Sequence, residues 1–215
     1  MMTVFDLIQD LKSFRECTDE VVPRKKVGKI LEAGRQAPSP GNVQSVEFIV
    51  VEDEDRKEFL ENASGDKRVE EAPTAVIIIA DMERMKRRVG EAMARDAAVA
   101  EAAVTAQNMR LVAKEEDIGS AWISGFREDV VVNQFNVPGG KQPLGAVLLG
   151  YSSSEIEKES KFGLNSICFY DEYGNQVGSQ FDNLEWDGLR ENREIYGKKA
   201  GGLKTKIKRW VREFI

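Results

Sequence analysis

Lys12, Ser13 and Arg15 gather two cations and a hydroxyl in one short stretch near the N-terminus. Ammonium, guanidinium and hydroxyl donors together can hold a phosphate, because charge-assisted hydrogen bonds to phosphate oxygens are the strong ones. The same cluster also suits a helix C-terminus, whose negative pole attracts cations. A second candidate is the loop Ala37 to Phe48, "APSPGNVQSVEF". Pro38 and Pro40 have fixed φ and no N–H, which stiffens it. Ser39, Asn42 and Gln44 present donors and acceptors from that frame, and Gly41 permits close backbone approach. Such a loop can position a polyhydroxylated or heteroaromatic ligand, or it can be a capped turn.

The sequence contains no histidine. That removes the commonest general base, the commonest metal ligand and every Ser-His or Cys-His nucleophile pair. Neither GxGxxG nor GxxxxGK[ST] occurs, so the dinucleotide fingerprint and the P-loop are both missing. If the chain is an enzyme, a cofactor carries the chemistry and the protein supplies binding and electrostatics. No side chain is assigned a catalytic role, and no metal site is expected.

With 215 residues, 41% of them hydrophobic, one domain with one sizeable core is expected over 1–215. The net charge of -6 argues against nucleic acid as a partner. Cys17 and Cys168 form no metal spacing and read as reduced thiols. No apolar run is long enough to span a bilayer, and the N-terminus has no signal-peptide pattern, so a cytoplasmic protein is expected. Residues 198–215 form a basic tail, seven lysines and arginines against Glu213, with Leu203, Ile207, Trp210, Val211 and Phe214 at helical spacing. It reads either as a helix packed on its own fold with snorkelling lysines or as a membrane-surface or groove-binding helix; the first is favoured, so a membrane role is not expected.

These groups need elements to hold them. Val4, Leu7, Ile8 and Leu11 predict a helix over 3–15, and Pro23 opens a second, with Val27, Ile30, Leu31 and Gly34 on one face. Strands are expected at Val46–Glu52, Thr74–Asp81, Ser120–Phe126 and Pro143–Tyr151, with a possible fifth at Ser166–Asp171. The unbroken apolar character of "TAVIIIAD" suggests burial on both faces. Short helices are predicted over 55–63 and 127–135, and a long one over 90–116 whose nine alanines suit either internal packing or a twin helix across a dimer. Without regular βα alternation, the fold class is α+β.

Four segments in order resemble the nitroreductase family of flavin-dependent oxidoreductases. "LKSFR" at Leu11–Arg15 is similar to its Arg-x-Ser-x-Arg/Lys segment, and "APSPGNVQSVEFIVV" to its Ala-Pro-Ser-x-x-Asn-x-Gln-Pro-Trp-x-Phe loop and strand. "AQNMRLVAKEEDIGSAWISGF" resembles its central helix and Gly-Leu-Gly-x-x-Trp-Ile, and "PLGAVLLGY" its Pro-to-Gly-Tyr strand. The likeness covers roughly residues 5 to 175. It implies an FMN-binding homodimer with a mostly antiparallel central sheet flanked by helices and a C-terminal segment, "LNSICFYDEYG", extending onto the partner subunit. It further implies that Lys12, Ser13 and Arg15 reach the flavin phosphate and pyrimidine edge. Pro38, Ser39, Pro40 and Asn42 would hold the flavin of the second chain. Ser124 and Gly125 would offer backbone N–H groups near N5, and Lys161 would be a second phosphate-binding cation.

The activity so implied is hydride transfer from NAD(P)H through flavin N5 to an acceptor such as a nitroaromatic or quinone, by a ping-pong cycle. A cation such as Arg15 would stabilise the reduced flavin at N1. The chain departs from the pattern in places. Leu11 replaces the first arginine, Ser45 and Val46 replace Pro-Trp, and Gly65 and Asp66 stand where amides are usual, with Arg68 nearby. These departures leave room for a flavin-binding carrier or sensor without turnover, or for a specialised branch such as a dehalogenase or dimethylbenzimidazole synthase.

Overall fold

The computed structural model describes residues 3–153 and 161–175. The chain divides into two compact units, Met1–Ile156 and Glu157–Ile215. The basic tail at 198–215 lies outside the described residues.

The first unit is built on α1 (Val4–Asp10), α2 (Arg24–Arg35), a 3-10 turn (Pro40–Asn42), β1 (Val46–Val51), α3 (Glu54–Ser64), α4 (Arg68–Glu71), β2 (Thr74–Asp81), α5 (Met82–Val89), α6 (Glu91–Glu115), β3 (Gly119–Ile123), α7 (Glu128–Gln134) and β4 (Lys141–Gly150). The strands form one antiparallel sheet in the order β1-β2-β4-β3. This is the α+β architecture expected, with a central antiparallel sheet between helices.

β2 lies inside the sheet, and seven of its eight residues are buried. Alternate side chains serve opposite cores, which explains its unbroken apolar run. Ala75, Ile77 and Ile79 pack with Leu60 of α3, Val69 of α4 and Val131 of α7. Val76 and Ile78 pack with Val27 and Ile30 of α2 and Ala102, Ala106 and Met109 of α6. Small alanines on α6 thus serve internal packing on one face. The opposite face leaves Met93, Val99 and Val104 exposed, with Ala100 and Ala103 among them.

Three local expectations are corrected. α1 begins at a capping box, in which Thr3 Oγ1 accepts from Asp6 N and Asp6 Oδ2 accepts from Thr3 N. It stops at Asp10 instead of running to residue 15. Phe14 is fully buried in the α3-side core, and Ser13 forms a parallel bridge with Ser120. Burying Phe14 and adding a bridge to the sheet edge outweigh continued helical propensity, which is a weak prior. The third strand ends at Ile123, so Ser124 to Phe126 already belong to the turn towards α7.

In the second unit, the expected strand at Ser166–Asp171 is replaced at its start by a helical turn, α8 (Leu164–Ile167). Ser166 Oγ donates to Gly163 O at 2.7 Å and Cys168 N to Leu164 O at 2.9 Å. A local turn follows, closed by Tyr170 N to Asn175 O at 2.8 Å. These local bonds satisfy backbone groups that a strand would have to pair at long range. α5 and α4 were not anticipated; Asp81, at the end of β2, caps α5 by accepting from Arg84 N at 2.8 Å.

Candidate functional site

Because α1 ends early, Lys12, Ser13 and Arg15 occupy an extended segment rather than a helix end. The Ser13–Ser120 bridge adds this segment to the outer edge of β3. Ser120 is buried and its side chain faces α6. Arg110 of α6 completes the corner: Nη2 donates to Ser13 Oγ at 3.1 Å, and Nε to Ser120 Oγ at 3.4 Å. Arg15 is exposed. Lys12 borders a neighbouring cleft of about 430 Å³, which is also lined by Leu11, Lys114, Asp117, Ser120 and Tyr151.

The electrostatics of this corner are lopsided. Arg110 is partly buried, and among the described residues no carboxylate pairs with it. Burial, and then the positive charge of Arg68, push the Arg110 pKa below the ordinary arginine value. Arg68 itself is matched. Nε and Nη2 donate to the two carboxylate oxygens of Asp66 at 2.9 and 2.5 Å. That fork holds the Asp66 carboxyl below its usual range, chiefly through the side-chain hydrogen bond. The acid standing where the family pattern has an amide is therefore taken up by its own neighbour.

The second candidate, the loop at Pro38, Ser39, Pro40 and Asn42, is held largely by its own polar groups. Ser39 Oγ accepts from Gln44 N at 3.0 Å, and Asn42 Oδ1 accepts from Gln44 Nε2 at 3.1 Å. Asn42 and Gln44 hold left-handed φ values of 56° and 50°, a conformation that persists only when the surroundings over-determine it. They do so here: Arg84 of α5 donates to Gln44 O at 2.6 Å, and Ser45 is pinned to Glu101 of α6. Ser39 is partly buried, and Pro38 and Asn42 are exposed.

Glu101 and Arg110 lie on one helix about 13 Å apart along its axis, so within one chain the loop and the Ser13 corner are separate. Ser124 and Gly125 are exposed where the chain leaves β3, with Gly125 at φ 79°. Lys161 is exposed in the second unit. Sequence reasoning thus brought Ser13 to a site and missed its two neighbours there. Ser120 was visible only as a strand residue. Arg110 gave no signal, since an arginine on a long helix reads as a solvated charge.

An antiparallel sheet between two helical layers, with positive charge and hydroxyls at its edge, defines an α+β protein with a candidate anion site at one corner. The family model described as "Nitroreductase family" matches residues 8–75 and 61–151. The chain belongs to the nitroreductase family, a family of oxidoreductases. A protein of Bacillus subtilis described as "FMN reductase [NAD(P)H]" is 26% identical over 225 residues, covering 96% of this chain and 88% of that protein. The structure of B. megaterium NfrA2 superposes with a TM-score of 0.76 at 21% identity, covering 94% of this chain and 86% of the other, which is a likeness of fold. An FMN-dependent nitroreductase from Clostridium difficile R20291 superposes at 0.60 with 28% identity, covering 72% of this chain and 91% of that one. Among the described residues no helix is long and apolar enough to cross a membrane, and no group of acids and cysteines could hold a metal ion.

Proposed function

We propose that the chain is an FMN-dependent oxidoreductase that takes reducing equivalents from NAD(P)H and delivers them to a small-molecule acceptor such as a nitroaromatic or quinone. The observation that carries this reading is the corner at Ser13 and Ser120, where a partly buried cation has hydroxyl partners and no acid among the described residues. Such a corner fits an anionic group, and the cofactor's phosphate is one. FMN, when bound, supplies the chemistry of two-electron exchange with the nicotinamide and then with the acceptor.

The protein's share is positioning and charge. Ser13 and Lys12 hold the phosphate side from the edge of β3. The exposed Arg15 lies one strand step further on and offers positive charge where the reduced ring becomes anionic. Ser124 and Gly125 leave β3 with their backbone open to the ring's reactive edge. The loop Pro38, Ser39, Pro40 and Asn42 is stiff and pre-formed, so it can hold the flavin of a second copy at little ordering cost. Homodimerisation through the outward face of α6, which exposes Met93, Val99 and Val104, brings that loop to the partner's site. The segment "LNSICFYDEYG" extends towards the partner, and Lys161, which precedes it, is a further candidate phosphate-binding cation. We further assign the whole of 1–215 to one functional domain acting in the cytoplasm.

An anaerobic visible spectrum, recorded with FMN and then after NADH or NADPH, tests the reading. Bleaching of the flavin band by either donor supports it. A band that persists with both donors makes the chain a flavin carrier or sensor instead, and failure to bind FMN at all removes the reading.

A further inference from the structure

We propose that Arg110, together with the hydroxyls of Ser13 and Ser120, is the principal anchor for a phosphate monoester, and that this ester is the 5′-phosphate of FMN. The inference rests on the flavin reading and adds to it a residue that the family motifs do not mark.

A guanidinium has five N–H donors. Arg110 uses two in the bonds to Ser13 Oγ and Ser120 Oγ, both towards the long end of the hydrogen-bond range, at 3.1 and 3.4 Å. Each hydroxyl accepts from Arg110, so each keeps its own O–H to donate. The corner therefore offers spare guanidinium N–H groups and two hydroxyl hydrogens, and among the described residues no carboxylate competes for them. A tetrahedral dianion is the chemical class that takes all of these at once. Ser13 is only partly buried, so the corner can be reached from outside.

Charge balance points the same way. Asp66 neutralises Arg68, while among the described residues Arg110 has no acidic partner and lies within that cation's field. Removing a charge from water without a partner is unfavourable, and an incoming anion supplies the missing partner. Leu11 stands where the family pattern carries its first arginine. Arg110 returns that charge from a different element, α6 instead of the N-terminal segment.

The test compares FMN with riboflavin, which lacks the phosphate, by fluorescence titration of apoprotein. Wild type is expected to prefer FMN. Arg110→Leu should weaken FMN by about 10- to 100-fold, the usual effect of losing a charged hydrogen-bond partner, and leave riboflavin unchanged. Arg110→Lys should keep part of the preference. The ratio of KM for NADPH to that for NADH should not move.

Equal weakening of FMN and riboflavin would make Arg110 a structural clip between α6 and β3 and overturn the proposal. So would an unchanged FMN preference in Arg110→Leu. A shift in the NADPH-to-NADH ratio alone would assign the corner to the nicotinamide's 2′-phosphate and overturn the flavin assignment. Should Arg110→Leu fail to fold, Arg110→Lys decides by the same ratio: a preference equal to wild type, where the fork geometry is lost, overturns the anchor. A wild-type protein that binds neither flavin fails at the earlier step, the FMN reading itself.

Discussion

Ser45 and Glu101 lock the proline-rich loop to the long helix from inside the protein. Ser45 N donates to Glu101 Oε1 at 3.0 Å and Ser45 Oγ to Oε2 at 2.7 Å, with Ser45 fully buried and Glu101 4% exposed. Among the described residues no cation pairs with Glu101, so these two bonds compensate its burial. Ser45→Ala should cost about 1.5–3 kcal/mol, the range for a lost hydrogen bond to a charged group, and lower the thermal midpoint by several degrees. Glu101→Gln should cost less, because it keeps an acceptor for the amide and removes the buried charge. Equal midpoints for wild type and Ser45→Ala would show that the lock does not hold the loop.

Trp122 of β3 lies across Gly145 of β4. A Cβ at Gly145 would fall 2.1 Å from Trp122 Cη2 and 2.8 Å from the Ile123 carbonyl oxygen. The ring could swing away, but the backbone oxygen cannot. Gly145→Ala should therefore destabilise by about 1–3 kcal/mol as overpacking, and should shift the tryptophan emission. A variant with unchanged stability and emission would contradict this packing.

Burial, with a smaller contribution from Glu71, pushes the Cys17 thiol up to about 12. At pH 8 the thiolate is scarce, and its greater intrinsic nucleophilicity offsets that only in part. Alkylation of native protein by iodoacetamide, followed in a Cys168→Ser background, should be roughly 40-fold slower than for a free thiol. The sign for stability follows from proton binding. Between pH 9 and 12 the folded state holds the proton and the unfolded chain does not. Stability contributed by the neutral thiol is thus full below about 9 and is lost as pH rises towards 12. Alkylation at the free-thiol rate would mean that Cys17 is not held in this environment.

If the outward face of α6 joins two copies, Val104→Glu should convert a dimer to a monomer in light scattering and weaken FMN binding with it. Val104 is 39% exposed, whereas Val21, at 69%, lies off this face. Val21→Glu should leave the assembly intact. A dimer that survives Val104→Glu would place the interface elsewhere.

The sequence announced what depended on local pattern. β2 was read as Thr74–Asp81, to the residue, because a strand buried on both faces leaves an unbroken apolar run. α6 was legible because alanine favours helix at every position. Part of what the pattern missed was decided at long range: Phe14 and Ser13 leave a helical periodicity to join β3. The turn inside the expected strand was a local choice instead, stabilised by the bond from Ser166 to Gly163 O. The candidate site was half visible. Ser13 stood out by its neighbours in sequence, while Arg110 acquires meaning only from a serine 97 residues away in the chain.

That separation has a kinetic side. The Ser13–Ser120 bridge is a parallel contact at the sheet edge, closed across about two thirds of the first unit. Contacts of such high sequence separation pay their loop-closure entropy before any interaction rewards it, and they form late. The corner that would receive the anion is therefore expected to assemble late. Ligand binding there would report on completed folding, and would shield the N-terminal segment from proteolysis more than it shields the buried strands.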